Sequence, residues 1–328
     1  MTSLVIQTAF LGDVVLTTPL LAALAERHGP VDVVTTPGAA PLLETHPAVR
    51  RVIPYDKRGR ERGLAGFVGL ARRLAAERYE VAYLPHRSLR TALLARLARV
   101  PRRVGFADGW PLLYTEARLR PRDGHEIDRL LGLAGAPSGA FPPRLYPTAE
   151  DERIVAAFLE REGLGGRDFA ALAPGSIWGS KRWPYYKELA QRLSERVAVV
   201  AVGGPEDTAI GTEIAGAANA CGTLTLRQSA ALIGRARVLV TNDSAPLHLA
   251  SALGTPIVAV FGPTIPEFGF APVAEGDVTL GVADLACRPC SDHGPPACPL
   301  GHHRCMKELR VETVLAAIEE TGALRRRD

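Results

Sequence analysis

No apolar run in this chain approaches the roughly 18 residues that a membrane-spanning helix needs. The short apolar start at residues 3–10 has no basic flank before it, so nothing resembles a secretory signal. No segment is low enough in complexity to be disordered, and together these absences predict a soluble, cytoplasmic protein. Two nucleotide-binding fingerprints are also missing. G-x-G-x-x-G does not follow the first strand-like segment, and G-x-x-x-x-G-K-[ST] occurs nowhere, which argues against NAD enzymes and P-loop NTPases. A third absence is D-x-D, the carboxylate pair that commonly holds a divalent metal against a nucleotide diphosphate. Glu126-Ile-Asp128 has the spacing but lies in a helix-like pattern.

What is present fits two α/β domains. A length of 328 residues suits two domains of about 150 each. Apolar segments that read as buried strands recur at 4–7, 31–35, 51–55, 81–85 and 103–106. In the second half they recur at 169–173, 197–202, 238–241, 257–261 and 278–280. Amphipathic helical patterns separate them, for example at 19–27, 64–77, 87–97 and 183–194. Continuous rather than alternating apolar strands between helices indicate parallel sheets covered on both faces. The Pro-rich stretch 136–147 is the linker candidate, which sets domains at 1–147 and 148–328, with the last helix expected to pack back on the first. The expectation is two doubly wound domains facing a central cleft.

Charge is uneven between the halves. Residues 1–147 carry 21 Lys/Arg against 13 Asp/Glu, and residues 148–328 carry 18 against 22. A basic first half suits an anionic partner, whether nucleic acid, an acidic glycan or a membrane surface. The bland alternative is arginine decorating solvated faces. Lys57, Arg58 and Arg60 stand in a flexible basic segment after the third strand and are candidates for holding an anionic acceptor or lipid headgroups.

Three loops can carry chemistry. The first, Thr8 to Asp13, follows the first strand, where loops of a doubly wound sheet face the ligand crevice. Asp13 is either a helix N-cap or a base able to take a proton from an attacking hydroxyl. The second, Pro174-Gly-Ser176 through Ser180-Lys181-Arg-Trp183-Pro184, is rich in small residues that expose backbone N–H groups, with Lys181 adding a point charge for phosphate. Trp183-Pro184 is expected to start a helix. The third is residues 238–262, a strand–turn–helix–strand unit. In it Asp243 and Ser244 are good N-cap residues, Pro246 falls in the first turn and Gly254-Thr-Pro256 stops the helix. Its helix N-terminus offers free N–H groups to an anion. Glu206, after the strand at 197–202, can accept hydrogen bonds from a ribose or a base, though a surface turn explains it equally well.

Four of the five cysteines, Cys287, Cys290, Cys298 and Cys305, fall within 19 residues. Their spacing suits a structural zinc or an iron–sulfur cluster, or else reduced thiols packing a compact loop. Cys221 stands alone and reads as a core residue.

These segments together resemble glycosyltransferase family 9, the ADP-heptose:lipopolysaccharide heptosyltransferases, and look most like its heptosyltransferase II branch. The resemblance rests on residues 7–19, Pro174-Gly-Ser176 with Ser180–Pro184, and Thr241-Asn-Asp-Ser-Ala-Pro-Leu-His248. Residues 261–264 and 298–306 also look like family segments. It implies a GT-B fold and an inverting, metal-independent transfer of heptose from ADP-heptose to the inner core of lipopolysaccharide. In that reading Asp13, next to Gly12, is the general base on the acceptor. Ser176 and Lys181 hold the diphosphate, Asp243 binds the heptose, and Ser244, Ala245 and His248 meet the phosphates, with His248 otherwise a packed helix residue. No cofactor is required. The partners implied are the donor and an anionic lipopolysaccharide precursor at the inner-membrane surface, not nucleic acid, with the chain acting as a monomer. Two other classes compete: another nucleotide-sugar enzyme on this architecture (a different donor sugar, an epimerase or a hydrolase), and a non-catalytic binding module centred on the cysteines.

Overall fold

A computed structural model describes residues 2–325 of the chain. It divides into two units, residues 1–146 and 147–328, one residue from the expected boundary. The first unit runs β1 (Ser3–Ile6), α1 (Leu11–Leu16), α2 (Thr18–His28), β2 (Val31–Thr35), α3 (Ala40–Leu43) and β3 (Val49–Pro54). It continues through α4 (Gly63–Ala76), β4 (Val81–Leu84), α5 (Leu89–Leu97), β5 (Arg102–Phe106), β6 (Glu116–Arg118) and α6 (Glu126–Ala134). The second unit begins with α7 (Ala149–Arg161), β7 (Phe169–Ala173), α8 (Tyr186–Ser194), β8 (Ala198–Ala201), α9 (Thr208–Glu213) and β9 (Ala218–Asn219). It ends with α10 (Leu226–Arg235), β10 (Val238–Asn242), α11 (Ala245–Leu253), β11 (Ile257–Val260), β12 (Val278–Leu280), α12 (Arg304–Lys307) and α13 (Val311–Glu320).

Each unit holds one six-stranded sheet, and every strand pair in it is parallel. The orders are β3-β2-β1-β4-β5-β6 and β12-β11-β10-β7-β8-β9. Both are the doubly wound order in which the chain reverses direction beside its first strand, at β1/β4 and at β7/β10. Ligands of such sheets bind outside the carboxyl ends of the strands at that reversal. The pairing there is regular, with Leu4 opposite Ala82 and Val240 opposite Leu172. Continuous burial of β1, β4, β7 and β10 explains why their sequences are unbroken apolar runs.

β3 differs from the buried strand expected of it. It lies at the sheet edge with every residue exposed or half-buried, which is why Arg50 and Arg51 fit there. β6 and β9, also edge strands, had no apolar signature to read. The last helix, α13, is built into the core of the second unit: Val311, Val314, Ala317 and Ile318 pack with Leu189, Leu193 and Val258. Its apolar stripe matches this core.

Local signals behave as their chemistry requires. Thr148 and Asp151 cap the start of α7 reciprocally, as do Thr225 and Gln228 at α10. Arg227 then ties the two helices through Asp151 at 2.5 Å. Gly254 ends α11 in the left-handed conformation at φ 72°.

One polar cluster supports the first unit from within. Asp32 on β2 is fully buried and accepts hydrogen bonds from Arg50 Nε at 2.8 Å, Arg51 at 2.8 Å and the Tyr79 hydroxyl. Burial alone raises its pKa, but the hydrogen bonds from Arg50, Tyr79 and Arg51 outweigh it and hold the carboxyl below its usual range. A carboxylate with a lowered folded pKa stabilises the fold above its unfolded pKa, and that contribution is lost as pH falls through the folded value. Asp32→Asn should therefore cost about 3 kcal/mol in urea unfolding at neutral pH. The gap from the wild type should close on acidification.

Candidate functional site

The carboxyl end of β1 carries the first set of functional groups. Gln7 ends the strand with its N–H on Val34 O, and its side-chain amide donates to Thr17 Oγ1 at 3.1 Å. Gln7 Oε1 accepts the N–H of Ala9, so one side chain shapes the whole turn. Asp13 is not an N-cap. Phe10 caps α1, and Asp13 is the third helical residue, its Oδ2 accepting the Phe10 N–H at 3.1 Å. This is the acidic half of a capping box. Gly12 beside it is buried within the helix.

The surroundings of Asp13 raise its pKa from 3.8 to about 6, through burial first and then the negative charge of Glu126. The Phe10 N–H and Arg120 oppose the shift. Glu126, at the start of α6, is 5 % exposed and is held between Arg120 and Arg129. Arg120 also stacks on the Phe106 ring, 4.9 Å from its centroid. A general base works best with a pKa near the working pH, and this environment moves Asp13 in that direction.

Lys57, from the basic segment, reaches back to Thr8 and donates to its carbonyl at 2.7 Å. Its pKa is lowered by burial and then by Arg58 and Arg90. Arg58 and Arg60 of the same segment are exposed. His86, two residues beyond β4, has its pKa lowered by burial and then by the charges of Lys57, Arg87 and Arg120. The first unit thus gathers a proton-seeking carboxylate and several cations at its sheet reversal. Of these, His86, Arg120 and Glu126 were missed in the sequence. The signal for His86 was its place directly after a buried strand at the reversal. Arg120 and Glu126 had none, because they lie more than 100 residues from Asp13 in sequence.

The second unit gathers residues from three loops at the β7/β10 end. Asn242, the last residue of β10, donates to Pro174 O at 3.0 Å and accepts the Trp183 N–H at 3.1 Å. It thereby fixes both ends of the loop holding Ser176 and Lys181. Arg182 closes that loop on Ser176 O at 2.8 Å. The expected helix start at Trp183 is displaced to Tyr186, because Trp183 is buried and spends its indole N–H on Leu309 O.

Lys181 and Asp243, both picked from sequence, meet directly. Lys181 Nζ lies 2.6 Å from Asp243 Oδ2, and the buried Thr264 hydroxyl donates to the same oxygen at 2.6 Å. Ser244 caps α11 through its backbone alone: its hydroxyl turns to Asn242 O at 3.3 Å rather than to a helix N–H. Pro246 has no N–H and the Leu247 N–H donates to Ser244 O at 3.1 Å, so in the first turn it is the Ala245 N–H that is left to another acceptor. His248, one turn on, is buried and meets Phe270 edge-on at 6.4 Å. Ser176 is buried at the mouth of the loop, its hydroxyl accepting the Trp178 N–H. Glu206 is exposed. The buried carboxylate of that turn is its neighbour Asp207, wedged against Gly175 and Gly203, where a Cβ would come within 2.1 and 2.7 Å of it.

The four clustered cysteines are free thiols, and Cys221 is a core residue as expected. Cys305 and Cys290 lie within electrostatic reach of the others in the group, and Cys298 receives backbone N–H groups from residues 300–303. Among the described residues, no three His, Cys, Asp or Glu side chains are arranged to hold a metal ion.

Two doubly wound α/β units, one with a half-buried carboxylate among cations and the other with a buried Lys–Asp pair at its sheet reversal, form the GT-B architecture of a glycosyltransferase. The model of glycosyltransferase family 9 (heptosyltransferase) matches residues 67–299, and the chain belongs to that family. It is 28% identical to lipopolysaccharide heptosyltransferase 2 of Salmonella typhimurium, over 81% of this chain and 84% of that one. It is 31% identical to lipopolysaccharide heptosyltransferase 1 of Pseudomonas aeruginosa, over 95% and 92%. The solved structure of E. coli ADP-heptose LPS heptosyltransferase II superposes with a TM-score of 0.80 at 25% identity, covering 99% of this chain and 98% of that one.

Proposed function

We propose that this chain transfers a heptose from ADP-heptose to the inner core of lipopolysaccharide, with inversion and without a divalent metal. The observation that carries the reading is the buried Lys181–Asp243 pair beside the open N-terminus of α11. It supplies fixed positive charge for a diphosphate and a carboxylate for sugar hydroxyls in one place. The relatives' names supply the sugar, since they include heptosyltransferases 1 and 2.

The chemistry is a single displacement. The acceptor hydroxyl gives its proton to Asp13 as its oxygen attacks the anomeric carbon of the donor, and the bond to the β-phosphate oxygen breaks. ADP leaves with its developing charge met by Lys181, Ser176 and the N–H groups at Ser244 and Ala245. Attack from the face opposite the leaving group inverts the anomeric centre. The cations near Asp13, Lys57 and Arg120 among them, suit an acidic acceptor. Arg58 and Arg60 on the exposed segment suit the anionic face of the inner membrane. No described helix is long and apolar enough to cross that membrane, and a peripheral cytoplasmic location fits the reading.

Incubation with ADP-heptose and defined core-oligosaccharide acceptors should release ADP only when both are present. Release without acceptor would replace the transferase reading with a hydrolase one. The absence of D-x-D leads us to expect the same rate in excess EDTA. A rate restored only by added Mg²⁺ or Mn²⁺ would overturn the metal-independent mechanism.

A further inference from the structure

The segment from Gly281 to Cys305 crosses both walls of the donor site without contributing a residue to the chemistry above. On one side it grips the loops leaving β11. Arg288 donates to Phe261 O and Thr264 O, each at 3.0 Å, and to Val282 O. The Cys290 N–H donates to Pro263 O at 2.8 Å. On the other side it grips the Lys181 loop. Ser180 donates its hydroxyl to Pro295 O, and His303 Nε2 lies 2.7 Å from Ser180 O. A Cβ on Gly179 would come within 2.6 Å of Pro296 O.

Gly294 stands where the two sides meet. It is buried with φ 79°, and a Cβ there would lie 3.1 Å from Lys181 Cε and 3.2 Å from Pro263 Cγ. The two walls bear the two partners of the Asp243 carboxylate, Lys181 on one and Thr264 on the other. Lys181 sits in a loop with a single short helical turn, and Thr264 follows a strand end. Neither loop has a regular element that would hold it against the other.

We propose that this strap is the positioning element of the donor site. Arg288 and His303 hold the Thr264 and Ser180–Lys181 loops at the separation where Asp243 takes both Lys181 and Thr264, and so set the affinity for the nucleoside diphosphate. Arg288 is the stronger pin, because its guanidinium reaches three separate carbonyls from two nitrogens in a fixed planar fork, whereas a lysine ammonium must donate from a single nitrogen. Cys290 serves through its backbone N–H rather than its thiol. The strap's role rests on the assignment of Lys181 to the diphosphate, and the experiment separates the two.

The test reads two quantities on the full-length chain: the rate at which a water-soluble amine reagent labels Lys181, followed by peptide mass spectrometry, and the Kd for ADP by calorimetry. Arg288→Ala should label at Lys181 at least tenfold faster than wild type while keeping its circular dichroism. Its Kd for ADP should rise at least tenfold, and its KM for donor should rise much more than its kcat falls. Millimolar guanidinium should reverse these changes, whereas Arg288→Lys should behave like the alanine variant. His303→Gln probes the opposite wall, gives the same signature in weaker form, and decides the question if Arg288→Ala does not fold. Asp292→Asn, an exposed change in the same strap, should match wild type. Wild-type labelling and ADP affinity in folded Arg288→Ala, or in His303→Gln where the first does not fold, would overturn the proposal. If labelling responds but wild type does not bind ADP, the strap role stands and the diphosphate assignment of Lys181 falls.

Discussion

Asp13→Asn should lower kcat by about 10²- to 10⁴-fold, the usual contribution of a positioned general base, while leaving the Kd for ADP within a factor of two. The substitution keeps the side chain's volume and its hydrogen bond from the Phe10 N–H but cannot accept the acceptor's proton. Because Asp13 is raised to about 6, wild-type kcat/KM should fall below that pH with unit slope. A residual activity that no longer titrates near pH 6 should remain in the variant. Unchanged turnover would remove Asp13 from the base role.

The same residue should show a cost to the fold. Burial and Glu126 disfavour the charged carboxylate, so the folded state binds a proton more tightly than the unfolded chain does. Wild type then gains stability as pH falls from above 6 towards 3.8, whereas the asparagine variant does not. Asp13→Asn should be more stable than wild type by about 1–3 kcal/mol above pH 6, with the advantage vanishing below pH 4. A variant that is less active and more stable would mark Asp13 as a group held under strain for function.

Lys181→Met should produce the second large effect, in the opposite direction for stability. It leaves the Asp243 carboxylate buried with Thr264 as its remaining hydrogen-bonding side chain. Breaking a buried pair from one side costs about 3–5 kcal/mol, read as a drop in urea midpoint. The Kd for ADP should also rise by about 10- to 100-fold from the lost charge-assisted contact. Pairing the change with Asp243→Leu should restore most of the stability, since an apolar pair is no worse in that setting. It should restore none of the ADP affinity. If the double variant regains both, Lys181 has a structural role only.

Much of this architecture was legible because buried parallel strands leave a plain trace. β2 and β7 have the bounds read from the sequence, as does the half-exposed edge strand β12, and the other buried strands differ by a residue or two. β6 and β9 left no trace because edge strands of a few residues need no apolar run. The helix after Trp183 was misplaced because a tryptophan followed by proline looks like a helix start, whereas its indole is committed to Leu309 O far along the chain. Ser244 and Asp13 were both readable as caps, and neither caps with its own side chain in the expected way.

What the sequence determined by itself was the set of groups: Asp13 in one half, Lys181, Asp243 and Ser244 in the other, and parallel sheets that bring loops to their carboxyl ends. Motif residues close together in sequence carry that information locally. Only the tertiary structure decided how those groups are tuned and held. Glu126 reaches Asp13 across 112 intervening positions of α/β winding, Thr264 shares an oxygen with Lys181, and the cysteine-bearing strap pins both walls. The reason is physical. Composition and periodicity report which residues are buried, but a carboxylate's proton affinity and a lysine's position depend on charges and carbonyls brought near by the fold.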